Sequence, residues 1–268
     1  MMLSTSPRST PRLDRLLLFA LILTAAMNIF PTATDFWRYT YDGETHLFFA
    51  DHYRRGWWDA WEEKWHQGFW VYSYPPLVHQ LIALVGRVSS LEAGYRLVQS
   101  VALVLYPVAA WSLSREIQGV EAAGLTSLLT LAPAGVYLAL YSFGQLPTVV
   151  GIVIMLFALA ALARYLREGR PEHLLGWGLF AGTLFSAHHL TAAFGLLPAA
   201  VCVVLHSVGM KNGSGRSSWI SRLTLAGLTL AASAVLAIIP FWWWALTQRE
   251  ALAEIGRASC RERVYSGV

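Results

Sequence analysis

Two stretches of the chain carry residues whose types and spacing could do chemistry. The first is Asp42-Gly43-Glu44-Thr45-His46-Leu47. Asp42 and His46 are four apart, so on a helix they share a face. A carboxylate there could take a proton from a hydroxyl as a general base, or orient a cation. The competing reading is an N-cap, because aspartate caps helices well and Glu44 suits a first turn. No cofactor is specified. Asp42 could hold a divalent cation, but no third ligand stands at a fixed spacing, so no metal site is assigned.

The second stretch is Ser186-Ala187-His188-His189-Leu190-Thr191. Its two histidines are the only acidic, basic or imidazole side chains between Leu174 and His206. Ionisable groups within apolar runs are costly and point to function. Protonated, His188 and His189 could hold a lipid phosphate; neutral, they could hydrogen-bond an acceptor. The bland reading is a pair of interfacial histidines at a helix turn. Between the two stretches lies Gly144-Gln145-Leu146-Pro147. Glycine and proline there are ordinary turn punctuation, although the Gln145 amide could bond a sugar or a phosphate. Arg38, Arg54 and Arg55 flank the first stretch. The planar fork of arginine suits phosphate, so they are its candidate partners.

The elements that must position these groups are membrane helices. The 268 residues are 56% hydrophobic and 13% charged, with a mean hydropathy of +0.46. A soluble domain carries about 25% charged residues. The net charge of +4 is modest and its basic residues sit in short clusters between apolar runs, which is a topology signal and not a nucleic-acid face. No P-loop, dinucleotide fingerprint or zinc spacing occurs. Cys202 lies in an apolar run and Cys260 near the C-terminus, and neither suggests a disulfide framework.

A spanning helix needs about 20 apolar residues, with a lower limit near 17. About seven candidates result: Leu16–Phe30, Leu97–Leu113, Ala122–Tyr141, Thr148–Ala163, Leu174–Ala187, Leu190–Val208 and Leu223–Leu246. The first follows Arg8, Arg12 and Arg15 and has no small-residue cleavage site after it, so it reads as a retained span. Leu77–Val88 is apolar but too short to cross. If it stays on the outer side, the clusters Arg8/Arg12/Arg15, Arg164/Arg167/Arg170 and Lys211/Arg216/Arg222 all fall in the cytoplasm. The N-terminus is then cytoplasmic, and the multi-pass chain of residues 1–254 sits in the plasma membrane. Residues 31–96 form an extracytoplasmic loop, and Ser142–Pro147 and His188-His189 lie on the same side.

Within that loop, Trp57, Trp61, Trp65 and Phe69 recur every four residues, which predicts a helix with one aromatic stripe. Such a helix would lie at the headgroup level. The alternative is a helix packed on a domain core. Tyr74-Pro75-Pro76-Leu77 then starts the next helix, and Phe241–Ala245 ends the last span as an aromatic belt. From Ile255 to Val264 the chain reads IGRASCRERV. This resembles translated sequencing-adapter sequence, so residues 255–268 are expected to be non-native and without function. The competing reading is a genuine basic tail.

An acidic residue after the first span, a tryptophan-rich loop and a Tyr-Pro-Pro-Leu return into the apolar layer resemble the GT-C glycosyltransferases. Within these, the chain is similar to a bacterial and archaeal membrane family labelled "6-pyruvoyl-tetrahydropterin synthase-related", a label that implies no pterin chemistry. The likeness is carried by Asp42–Leu47, Tyr74–Leu77, Gly144–Pro147 and Ser186–Thr191, and runs over most of Leu16 to Pro240. It implies an all-α, GT-C-like membrane fold, with Asp42 as catalytic base. It also implies transfer of a sugar from a polyprenyl-phosphate carrier outside the cell. Arg38, Glu44, His46, Gln145, His188 and His189 are the expected substrate contacts. The chain lacks the paired-acid motif at Asp42. The implied partners are membrane lipids and the lipid-linked sugar, not nucleic acid. Two alternatives stand beside the enzyme: a lipid or sugar transporter, and a non-catalytic membrane subunit. Ion-coupled transporters carry acids or lysines near the midplane, and none of the seven spans does.

Overall fold

The computed structural model describes residues 15–65, 68–71, 74–209 and 216–247. Arg8, Arg12, Lys211 and the whole 255–268 tail lie outside them. The described residues form ten α-helices and one short hairpin. Helix α1 (Arg15–Ala33) leads through a 3-10 turn (Phe36–Tyr39) to α2 (Gly43–Arg55). The hairpin β1 (Trp61–Glu62) and β2 (Phe69–Trp70) follows, then α3 (Leu77–Gly86) and α4 (Leu91–Gln118). Next come α5 (Val120–Leu129), α6 (Ala134–Tyr141), α7 (Leu146–Glu168) and α8 (Pro171–Ala187). A π-helical stretch (Thr191–Leu196) runs on into α9 (Leu197–Gly209), and α10 (Arg216–Thr247) completes the set.

Local chemistry sets the boundaries. Ser90 caps α4 by accepting from the Ala93 N–H at 3.1 Å. Gly169, with φ of +72°, closes α7, and Pro171 opens α8 directly after it. Proline suits a first turn because its missing N–H would go unpaired there anyway.

Among the described residues, five helices are long and apolar enough to cross a membrane: α1, α4, α7, the Thr191–Val208 stretch and α10. The expected Ala122–Tyr141 span is divided into α5 and α6, bent by 42°. Pro133 stands at the break, where it can supply no N–H to a continuous helix. Counting this pair as one span gives six. The remaining expected span, α8, has 17 residues, at the lower limit for crossing. With 10 residues, α3 is about 15 Å long and cannot cross.

The bundle is built around α7, whose residues from Leu146 to Leu166 are buried on most sides. One core cluster, with Trp37, Ile82, Tyr95, Leu103, Leu140 and Val149, joins α2, α3, α4 and α6 to the start of α7. A second, with Leu162, Tyr165, Trp177, Leu184, Leu196 and Val203, joins α8 and α9 to its end. Outward-facing Phe19, Ile22, Phe30, Leu179, Phe194 and Leu236 are exposed. Apolar groups facing outward on apolar helices of a membrane protein meet lipid, and a helix suits that setting because it pairs most of its backbone groups internally.

Side-chain pairs set the helix directions. Arg164 Nε and Arg167 Nη2 each donate to the Glu116 carboxylate at 2.6 Å, and Arg222 donates to the Leu166 and Arg167 carbonyls at 3.0 Å. These pairs gather the end of α4, the end of α7 and the start of α10 at one end of the bundle. At the other end, Arg96 pairs with Asp35 at 3.0 Å, and Tyr141 donates to Asn28. The described residues from Phe36 to Ser90, the α6–α7 turn and His188-His189 all lie at this second end.

The tryptophan segment is not the expected helix. Trp61 pairs with Trp70 and Glu62 with Phe69 in an antiparallel hairpin, and Gly68 takes φ of +87° beside the Trp61 ring. The physical reason is Glu62, which is fully buried. Its carboxylate accepts from His52 Nδ1 at 2.9 Å, Arg55 Nη2 at 2.8 Å and the Lys64 N–H at 2.6 Å. His52 Nε2 lies 2.8 Å from the Asp59 carbonyl. A helix through Gly56–Trp70 would give up this network for one aromatic stripe. Trp57, in the turn before the hairpin, lies under the Arg87 guanidinium; within the hairpin Trp61 meets Trp70 edge-on, and Trp65 and Phe69 meet each other and pack on Phe48 and Phe49. Trp58 and Trp65 are the exposed members.

Candidate functional site

At the second end of the bundle, a cavity of about 370 Å³ opens between α2, α3, α7 and the α8–π turn. This is within the size range of small-molecule sites. The start of α2 is tied to the α6–α7 turn by two backbone bonds, Tyr41 N–H to Ser142 O at 3.2 Å and Asp42 N–H to Phe143 O at 3.0 Å. Gly144 has φ of +71°, and a Cβ there would collide with Thr40 and Gly43. Only glycine permits this approach.

Asp42 stands at the N-cap of α2, yet its side chain makes no capping bond. Among the described residues its carboxylate has no hydrogen-bond or ion-pair partner. It faces the cavity instead, and burial raises its pKa. Of the two sequence readings of Asp42, the cap position is real and the cap bond is not.

His46, one turn along α2, is buried. Its Nε2 lies 2.9 Å from the Gly144 carbonyl and its Nδ1 lies 3.0 Å from His79 Nε2. A carbonyl only accepts, so His46 Nε2 carries the proton. In the neutral ring, Nδ1 then accepts from His79 Nε2–H. Burial lowers the His46 pKa to about 4, with His188 adding a smaller effect in the same direction. Burial also holds His79 well below its ordinary value, and His46 and His52 lower it further. Both rings are therefore neutral walls of the cavity: both His46 nitrogens are paired, and the unprotonated His79 Nδ1 faces the Pro75 carbonyl at 3.3 Å.

His188 caps the α8 turn. Its Nδ1 lies 2.7 Å from Thr191 Oγ1 and accepts from the Thr191 N–H at 3.3 Å. That places the His188 proton on Nε2, 3.4 Å from Thr148 Oγ1. Burial lowers the pKa of both His188 and His189, with the neighbouring His189 adding to the effect at His188. This direction favours the neutral, hydrogen-bonding form of both rings over the protonated one.

The cavity brings together Asp42, His46, Gln145, His188 and His189, five of the residues expected from sequence. It does not gather the arginines. Arg38 lies over Trp37 and pairs with Glu44 at 3.4 Å and Glu92 at 3.3 Å, all away from the cavity. Glu44 is exposed. Arg54 and Arg55 pair with Asp51, and Arg55 also with Glu62. Trp57, in the turn before the hairpin, and Trp61, Trp65 and Phe69 within it do not line the cavity. Sequence reasoning missed Tyr74, His79 and Thr148, which do line the cavity. The signal for His79 was present, an imidazole just inside an apolar helix, but the two prolines before it drew the segment toward a helix start. Among the described residues, no group of three His, Cys, Asp or Glu side chains is placed to hold a metal ion.

Fold and cavity together define an all-α membrane protein of several spans with a cavity at one end that carries several polar side chains. In comparisons with known proteins, the chain matches no family model, no curated protein and no solved structure.

Proposed function

We propose that the chain is a GT-C-type glycosyltransferase that moves a sugar from a polyprenyl-phosphate carrier to an acceptor hydroxyl at the extracytoplasmic face of the plasma membrane. The observation that carries this reading is the Asp42 carboxylate, which makes no capping bond and, among the described residues, has no partner, facing a cavity it shares with His46, Tyr74, Gln145 and His188. A carboxylate released from capping and partly withdrawn from water is suited to general-base work, and its raised pKa strengthens it as a base. In the step itself, Asp42 takes the acceptor hydroxyl proton. The acceptor oxygen forms a bond to the anomeric carbon, and the bond from that carbon to the phosphate oxygen breaks with its electron pair leaving on the phosphate.

Two further features support the reading. The basic groups Arg164, Arg167 and Arg222 gather at the end opposite the cavity, and the positive-inside bias puts that end in the cytoplasm. A second, apolar groove of about 470 Å³ runs between α8 and α10, past Leu175, Leu179, Gly182, Ser233 and Leu236. It reaches Leu77 and Ser186, close in sequence to Pro75 and His188 of the cavity, and offers a path for the carrier's tail.

The test is sugar transfer from a panel of polyprenyl-phosphate sugars in membranes containing the protein. Asp42→Asn is expected to lower transfer by about 100-fold or more, within the usual range for a general base, while insertion stays intact. Transfer by the wild type should rise with pH through the raised Asp42 pKa, because only the carboxylate form is a base. Wild-type rates in Asp42→Asn would remove the base role and favour a non-catalytic subunit.

A further inference from the structure

The geometry points to the His52–Glu62 pair as a proton-held latch: one imidazolium fastens strand β1 to α2 beside the cavity, and loss of its proton as pH rises loosens the strand. This goes beyond the proposed function and depends neither on sugar transfer nor on sidedness.

The first ground is what surrounds the ring. His52 is buried. Its Nδ1 lies 2.9 Å from Glu62 Oε2, and its Nε2 lies 2.8 Å from the Asp59 carbonyl oxygen. A carboxylate and a carbonyl only accept, so each contact needs a proton on the ring nitrogen. A neutral imidazole has one such proton. Either neutral tautomer would press a bare nitrogen against an oxygen lone pair. The imidazolium makes both contacts at once.

The second ground is where the shared proton sits. Glu62 Oε2 also accepts from Arg55 Nη2 at 2.8 Å, and Oε1 accepts from the Lys64 N–H at 2.6 Å. Bonds to the ionised form favour the carboxylate, so the proton stays on His52. His79 is the contrast. Its Nδ1 faces the Pro75 carbonyl at 3.3 Å, and its other nitrogen meets an imidazole and not a carboxylate.

The remaining charged groups are already engaged. On α2, Asp51 pairs with Arg55 at 3.2 Å and with Lys64 at 2.8 Å. The Asp59 carboxylate accepts from the Trp61 N–H at 2.9 Å. Tyr53 meets the His52 ring edge-on, and His79 of α3, held neutral by burial, stacks on Tyr53.

The third ground is what the pair holds. Asp59 precedes β1 and Glu62 ends it, so both ring contacts join β1 to α2. Without the proton, one contact remains. The Val71 N–H bonds the Ala60 carbonyl at 2.9 Å, which ties β2 to the same strand. The Phe49 ring of α2 lies 6.1 Å from Phe69 of β2 and 4.5 Å from Tyr74, a wall of the cavity. The latch is thus continuous with that wall. Histidine suits the role because it changes charge around neutral pH.

Nitrogen NMR on histidine-labelled full chain in detergent micelles tests the proton directly, with amide hydrogen exchange as the second readout. The His52 signal is identified by its loss in His52→Gln, or by its shift in Glu62→Gln where the first variant fails to fold. At about pH 6 both His52 nitrogens should carry protons, and one should be lost before about pH 9. Over that change, exchange at Trp61, Lys64 and Val71, corrected for its intrinsic pH dependence, should rise about tenfold or more, as expected for losing a bond to a charged group. In His52→Gln this rise should vanish. In Glu62→Gln, whose amide can donate to a neutral ring, it should shrink. A His52 ring with one proton at about pH 6, or with both beyond about pH 9, overturns the inference. So do hairpin amides whose exchange ignores the deprotonation of His52.

Discussion

The His46–His79 pair holds two protons for three acceptor positions, since Gly144 O, His46 Nδ1 and Pro75 O all face a ring nitrogen. A third proton would complete the 3.3 Å contact to Pro75, but burial opposes it. The consequence for stability has a definite sign. Unfolded, His46 titrates near 6.5; folded, at about 4. As pH falls, the unfolded chain takes up the proton first, so it gains relative to the folded one. The His46 contribution is complete above 6.5, declines below it, and ends its decline near 4. The thermal midpoint in detergent should therefore fall on acidification through this window, with His79 acting in the same direction. His79→Leu should shrink that acid shift. It should also cost about 1–3 kcal/mol at neutral pH, because His46 Nδ1 loses its donor. An unchanged acid shift in His79→Leu would show that other groups govern it.

At the scale of elements, the hairpin is held by one buried acid. Glu62 has three donors from three residues, and two of these, His52 and Arg55, lie on α2. Removing one partner of a buried charged set costs about 3–5 kcal/mol. Glu62→Ala should therefore loosen residues 56–71 locally and expose them to limited proteolysis. The bundle helices should stay protected, because no bundle core residue depends on the hairpin. Protease resistance equal to wild type would mean that the aromatic contacts of Trp61, Trp65 and Phe69 suffice. The broken α5–α6 pair illustrates a related point. The break at Pro133 frees α6 to turn toward the cavity end, where Tyr137 and Tyr141 stack and Tyr141 reaches Asn28 of α1.

For the whole molecule, the decisive feature is that its two ends differ. Glu116, Arg164, Arg167 and Arg222 define one end, and the cavity, the hairpin and the exposed Tyr39, Tyr41 and Trp58 define the other. Aromatic side chains at that level match a membrane interface. In a background with Cys202 and Cys260 changed to Ser, Glu44→Cys should react with an impermeant maleimide in intact cells. Arg170→Cys should react only after permeabilisation. Labelling of Arg170→Cys from outside would invert the proposed sidedness and move the cavity to the cytoplasm.

Hydropathy is a local sum along the chain, and the sequence by itself determined what depends on such sums: the membrane class, the positions of the apolar segments and the shortness of Leu77–Val88. Charge parity along the chain also grouped Asp42, Gln145 and the two histidines at one end. Which of these groups share a cavity depends on contacts such as His46 to Gly144, 98 residues apart, and no local pattern encodes that distance. The same limit explains the errors. Arg38 looked free for a ligand because Glu92, its partner, lies 54 residues away. The four-residue aromatic period fits a helix, but the burial of Glu62 against His52 and Arg55 outweighs it. Proton positions on His46 and His188 were settled only by which neighbour accepts, and those neighbours are placed by the packing of α2, α3 and α7 and by the turn that follows α8.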